Sequence, residues 1–143
     1  MKTLLYFVIG LLLLLLTTPV QAQTNTYKLT FTVKNLAQRQ GTIHVGLVTK
    51  AENFTGQSER DTVVAVPASG PMTITFANLP AGTYAAQIYQ DFNANNTMDV
   101  AGGRPTEPFG FSKIAMLMGP PSFEAASFAL AENTEMSIVL MSL

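Results

Sequence analysis

Nine consecutive residues, Asp91-Phe92-Asn93-Ala94-Asn95-Asn96-Thr97-Met98-Asp99, carry oxygen-bearing side chains at alternate positions and close on a second carboxylate. That spacing suits a hard cation. Ca²⁺ takes six to eight oxygens, and a turning loop supplies them from side chains at its first, third, fifth and ninth positions and a backbone carbonyl at its seventh. Asp91, Asn93, Asn95 and Asp99 hold the side-chain places and Thr97 the carbonyl place. Two departures weaken the fit. The twelfth position is Gly102, where a bidentate glutamate would complete the shell, and the sixth is Asn96, although Asn tolerates the left-handed geometry a tight turn needs. Glu107 adds a third carboxylate if Gly102-Gly103 turns the chain back. The competing expectation is a metal-free turn in which Asp and Asn cap backbone amides.

A second constellation follows at once, Arg104-Pro105-Thr106-Glu107-Pro108-Phe109-Gly110-Phe111-Ser112. Its two prolines extend the backbone, Arg104 and Glu107 are spaced to pair, and Phe109 and Phe111 offer apolar area. Such a loop could hold a sugar or peptide of the cell envelope against its rings. The structural alternative, which the residues favour, has Phe109 and Phe111 plugging the open end of the fold with Phe123 while Arg104 neutralises the neighbouring carboxylates. His44 is the single histidine, and there is no cysteine, so zinc catalysis has no ligand set. Asp91 with Asp99 or Glu107 is a formal glycosidase pair, but a chain this small without tryptophan offers little cleft. Gly102-Gly103 lacks the following Lys-Ser or Lys-Thr of a phosphate loop and reads as a turn. Asn53-Phe54-Thr55 and Asn95-Asn96-Thr97 match the glycosylation triplet, which has meaning only in a host with that machinery.

These residues must be positioned by strands. Tyr27, Leu29, Phe31 and Val33 alternate with Lys28, Thr30, Thr32 and Lys34, the pattern of a half-buried strand. Thr42 to Val48 repeats the period with Ile43, Val45 and Leu47 on one side, which leaves His44 on the opposite, surface or edge side. Thr62 to Val66 and Met72 to Phe76 flank a Pro67–Pro71 turn and read as a hairpin. Leu79-Pro80-Ala81-Gly82 is a turn into a fifth strand, Thr83 to Tyr89. From Asp91 to about Ser127 the periodicity disappears, and a stretch that long inside one domain is often either functional or disordered. Phe128 to Leu130 and Met136 to Leu140 complete seven strands, with a short helix over Ala125 to Ala131 as the alternative to the first of these. The pattern predicts an all-β, antiparallel sandwich of immunoglobulin-like or prealbumin-like type with one long irregular loop.

Length and composition bound the rest. Met1-Lys2-Thr3 precedes an apolar run from Leu4 to Leu16, then Thr17-Thr18-Pro19 and the small-residue site Val20-Gln21-Ala22, the order of a secretory signal peptide over residues 1–22. At about 13 residues the run is shorter than the roughly 20 a membrane-crossing helix needs. The remaining Gln23–Leu143 suits one domain, expected to be secreted or periplasmic, whose stability without disulfides rests on its apolar core or on an ion. Removing Lys2 leaves seven basic against nine acidic residues with no basic run, which argues against nucleic acid as a partner.

Four ordered motifs then carry a resemblance. Phe76-x-x-Leu79-Pro80-x-Gly82-x-Tyr84-Ala85, Asp91-x-Asn93-x-Asn95-x-x-x-Asp99, Pro105-Thr106-Glu107-Pro108-x-Gly110-Phe111-Ser112 and Pro121-Ser122-Phe123-Glu124-x-Ala126 together resemble the bacterial domain of unknown function 2141. The first motif is also similar to turns in prealbumin-like adhesin repeats and carboxypeptidase regulatory domains. The resemblance implies an exported sandwich with no assigned activity and a polar loop of calcium-site appearance. Gln90 stands where the family commonly has histidine and Asn96 where it commonly has glycine, so a ligand or base beside Asp91 is missing. The expectation is an exported, non-catalytic binding or structural module, with calcium at Asp91, Asn93, Asn95, Thr97, Asp99 and Glu107 as its candidate cofactor. Carbohydrate or peptide recognition through Arg104, Phe109 and Phe111 is the alternative, ahead of a small hydrolase.

Overall fold

In the computed structural model, residues 25–36 and 38–142 are described, so the expected signal peptide over residues 1–22 lies outside the described residues. The chain forms an all-β sandwich. One sheet has the order β10-β1-β4, built from β1 (Thr26–Lys34), β4 (Met72–Pro80) and β10 (Thr134–Val139). The facing sheet has the order β3-β2-β5-β8, from β2 (Thr42–Val48), β3 (Arg60–Ala65), β5 (Gly82–Asp91) and β8 (Phe109–Phe111), with β9 (Phe128–Leu130) also paired to β5. A two-residue pair, β6 (Val100–Ala101) with β7 (Arg104–Pro105), stands apart from both sheets.

Alternation does what its period predicts. Leu29, Phe31 and Val33 of β1, Ile74 and Phe76 of β4, and Ile43, Val45 and Leu47 of β2 all point into the space between the sheets. Each such side chain contributes about 1.5–3 kcal/mol by leaving water. Phe31 lies edge-to-face on Phe76 and on Phe128, with ring centroids 6.4 and 6.3 Å apart. The Tyr84 hydroxyl donates to the Pro80 carbonyl at 2.9 Å, pinning the turn into β5.

Two expectations about strand pairing are corrected. β3 and β4 are not a hairpin. β3 pairs with β2, and β4 with β1, so residues 66–71 carry the chain from one sheet to the other. A connection of that length with a proline at each side does not constrain its flanking strands to pair as a two-residue loop does. The sandwich is also not wholly antiparallel, because β10 runs parallel to β1 from Leu29↔Thr134 to Lys34↔Val139. Parallel neighbours need a long crossover, and nearly the whole chain serves as one here.

The largest departure is the long segment after β5. It holds β6, β7, β8 and a four-residue helix, α1 (Phe123–Ala126), before β9; the strand expected over Phe128–Leu130 forms, and the alternative helix over Ala125–Ala131 does not, since α1 ends at Ala126. Its β8 extends the sheet beside β5, and the rest packs as a partial third layer on the outer face of β5 and β8. There Val48, Phe54, Ala85, Phe109, Phe111 and Ala126 are buried in a second apolar cluster, joined by Tyr89, Met98, Leu117 and Phe123. Phe109 and Phe111 therefore do not plug an open end of the sandwich. They cover a sheet face, because β8 hydrogen-bonds alongside β5 and its alternation turns both rings outward from the main core. Gly110, between them, faces the opposite way, and a Cβ there would overlap the Val139 carbonyl oxygen.

Candidate functional site

Asp91 is the last residue of β5, and its side chain is fully buried. One carboxylate oxygen accepts the Asn96 N–H at 2.8 Å and the other the Asn95 N–H at 3.3 Å, while His44 Nε2 lies 3.5 Å from the first. Burial pushes the Asp91 carboxyl up, but the N–H groups of Asn96, Ala94 and Asn95, with His44 beside them, outweigh it and hold its pKa below the ordinary carboxylate value.

The same device repeats along the loop. Asn93 Oδ1 accepts the Asn95 N–H at 3.1 Å, and Asn95 Oδ1 accepts both the Thr97 N–H and the Thr97 hydroxyl at 2.9 Å. The side-chain amides of Asn93 and Asn95 donate to the two oxygens of Asp99, at 2.7 and 2.8 Å. Asn96 takes the left-handed geometry expected of it, φ 62°, and Ala94 does so as well, φ 58°. Glycines 102 and 103, both at positive φ, turn β6 back into β7, as a tight hairpin requires.

That reversal returns Glu107 to the loop, where it lies buried. Its Oε1 accepts the Phe92 N–H at 2.9 Å and its Oε2 the Asp99 N–H at 3.1 Å, so one carboxylate ties both ends of the turn. The expected pairing with Arg104 does not form. Arg104 is exposed in β7, and the buried Glu107 carboxylate is taken by backbone N–H groups instead. The structure thus gathers Asp91, Asn93, Asn95, Thr97, Asp99 and Glu107 into one hydrogen-bonded bend. Among the described residues, no three His, Cys, Asp or Glu side chains cluster closely enough to hold a metal ion.

His44 is placed differently from expectation. Alternation turns it to the outer face, as expected, but its neighbours there leave only 13% of its side chain exposed. It stacks on Tyr89, directly opposite on β5, with centroids 4.5 Å apart and planes 15° from parallel, and its Nε2 lies 3.1 Å from the Thr42 hydroxyl. Burial raises the Tyr89 phenol above its ordinary value, and the charges of Asp91, Glu107 and Asp61 add to that.

Two residues gained roles that their types alone did not announce. Ser112 is fully buried, accepts the Ala86 N–H at 2.8 Å and donates to the Ala126 carbonyl at 2.7 Å, stitching the third layer to β5 where the β8 ladder ends. Gln90 donates through Nε2 to the carbonyls of Gln38 and Gln40, at 2.8 and 2.9 Å, while its Oε1 has no partner among the described residues. Alternation puts Gln90 on the core face with Tyr84, Ala86 and Ile88, and a polar residue on that face was the available signal for it.

Between the third layer and the sheet lies a cavity of about 470 Å³, walled by Tyr89, Met98, Phe109, Phe111, Leu117 and Pro121. It is within the size range of small-molecule sites and largely apolar. Phe109 and Phe111, 5.9 Å apart and edge-to-face, are packed as wall and do not project from the surface.

Residues 31–138 match the family model described as Uncharacterized protein conserved in bacteria (DUF2141). No curated protein and no solved structure matches the chain.

Proposed function

The chain belongs to this family of uncharacterised bacterial proteins, and from that premise we propose that it is an exported, non-catalytic binding module whose site is the cavity beneath the long loop. The observation that carries the reading is the cavity itself, about 470 Å³ and bounded by Tyr89, Phe109, Phe111 and Leu117. It is half-open to solvent, so a small molecule can reach its apolar wall. Met116 and Met118, 70% and 92% exposed, flank Leu117 in the chain and line a neighbouring cleft of their own, where unbranched thioether side chains suit a surface that adapts to an apolar partner.

A further observation supports a non-catalytic role. Asp91 and Glu107, the carboxylates of the hydrolase alternative, are buried and spend their oxygens on backbone N–H groups, so neither is presented to a substrate. The polar bend is read here as a clamp that holds the loop's root, with calcium as an addition its own hydrogen bonds do not require. Export rests on the order of residues 1–22 and is tested by the mass of the chain recovered from outside the cytoplasm, which should begin at Gln23. The binding role is tested by an NMR-monitored screen of small apolar fragments. Saturable shifts confined to the amides of Gln87, Tyr89, Phe109 and Leu117 are expected. Shifts scattered over the surface, or none from any fragment, would overturn it.

A further inference from the structure

The outer face of the β3-β2-β5-β8 sheet carries a second cavity, of about 410 Å³, over β2 and β3. His44, Ser58, Asp61, Gln87, Tyr89 and Asn96 line it together with Val63, so its wall is mixed, about half polar, where its neighbour's is mostly apolar. Gln87 and Tyr89 line both, and the consecutive residues Thr55 and Gly56 line one each. The two cavities therefore adjoin as one groove, with a shared wall at the middle of β5.

The polar half is built for positive charge. Gly46, opposite Asp61 on β2, leaves bare backbone on which the hydrogen-bonded Ser58 hydroxyl and Asp61 carboxylate are seated, and a Cβ at Gly46 would fall 2.6 Å from Ser58 Oγ. No Lys or Arg lines this half. The phenol of Tyr89 reports the local field: beyond burial, the negative charges of Asp91, Glu107 and Asp61 make its ionisation harder. An anion would meet the same opposition, whereas an ammonium would meet the Asp61 carboxylate.

We infer that the groove takes an amphiphilic organic cation, its ammonium head beside Asp61 and Tyr89 and its apolar body between Phe109, Phe111 and Leu117. This rests on the reading of the apolar cavity as a ligand site and adds the ligand's class. Three probes sharing one apolar body, phenylbutylammonium, phenylbutanol and phenylbutanoate, are titrated into the protein by calorimetry and NMR. The ammonium should bind most tightly and the carboxylate least, with shifts at Gln87 and Tyr89. Asp61→Asn should remove the preference over the alcohol, about fivefold, the upper end for a solvent-accessible ion pair. Asp61 is exposed, so the variant should keep the parent melting temperature, and Leu117→Ala should weaken all three probes together. Equal affinity for ammonium and alcohol overturns the inference and leaves the binding module standing. Binding of none of the three overturns both.

Discussion

Glu107→Ala removes the one side chain that joins both ends of the polar bend. Its carboxylate accepts two N–H groups, from Phe92 at 2.9 Å and Asp99 at 3.1 Å, and it is only 4% exposed. A hydrogen bond to a charged group contributes about 1.5–3 kcal/mol, and the donors left behind are partly buried with no replacement. The two bonds share one acceptor group and do not add fully, so the loss should be about 3–4 kcal/mol. For a chain of this length that corresponds to a melting temperature lower by roughly 10–15 °C. Where the loop detaches before the sandwich melts, the same loss should appear as faster amide exchange across 92–111 with the β1 and β2 amides still protected. Glu107→Gln keeps one acceptor oxygen but turns an NH₂ toward the second donor, and should lose about half as much or somewhat more. An alanine variant within about 0.5 kcal/mol of the parent, with unchanged exchange at Phe92 and Asp99, would refute the reasoning.

Further outcomes follow from the same geometry. The Asp91 pKa is lowered on folding, so its contribution is fully present above the unfolded value near 3.8 and is lost as pH falls through the lower folded value; in acid titrations followed by circular dichroism, Asp91→Asn should flatten this limb. Gly110→Ala must push β8 away from Val139 and should cost about 1–3 kcal/mol or more in chemical denaturation, although alanine is otherwise the smaller perturbation. Millimolar Ca²⁺ should leave the melting temperature unchanged, because the bend's oxygens already hold its own N–H groups; a rise of several degrees would show instead that an ion organises it.

What was legible in the residues follows from which forces are local. Period-two alternation in Leu29–Val33, Ile43–Leu47 and Met72–Phe76 is imposed by the pleat, so the core strands and their buried faces were readable. The turning power of Gly102-Gly103 and the left-handed Asn96 were readable for the same reason, since φ preference is a property of single residues. Alternation tells which side a residue faces but not what covers that side, which is why His44 looked like a surface residue. Tyr89 and Asp91 of β5 shield His44, and the segment from Phe92 to Ser127 covers the β5–β8 side of that face, its order coming from distant contacts such as Ser112 with Ala86 and Ala126. In β5 the run Tyr84-Ala85-Ala86 is buried on both faces, and such small consecutive apolar residues were the one local hint of a third layer. Glu107 was recognised as reaching the polar bend, but whether a carboxylate meets an ion, an arginine or two backbone amides depends on a return path that spacing alone does not define.

The account stands on the space beneath the long loop being a ligand site. Leu117→Trp would fill that space from the loop side with a ring in place of a branched chain, leaving the main sandwich core untouched. Calorimetric titration of phenylbutylammonium into parent and variant is the direct measurement. The account predicts saturable binding to the parent and none to the variant, with the β1 and β2 amide spectra unchanged. Equal affinity in both would place the ligand elsewhere and contradict it.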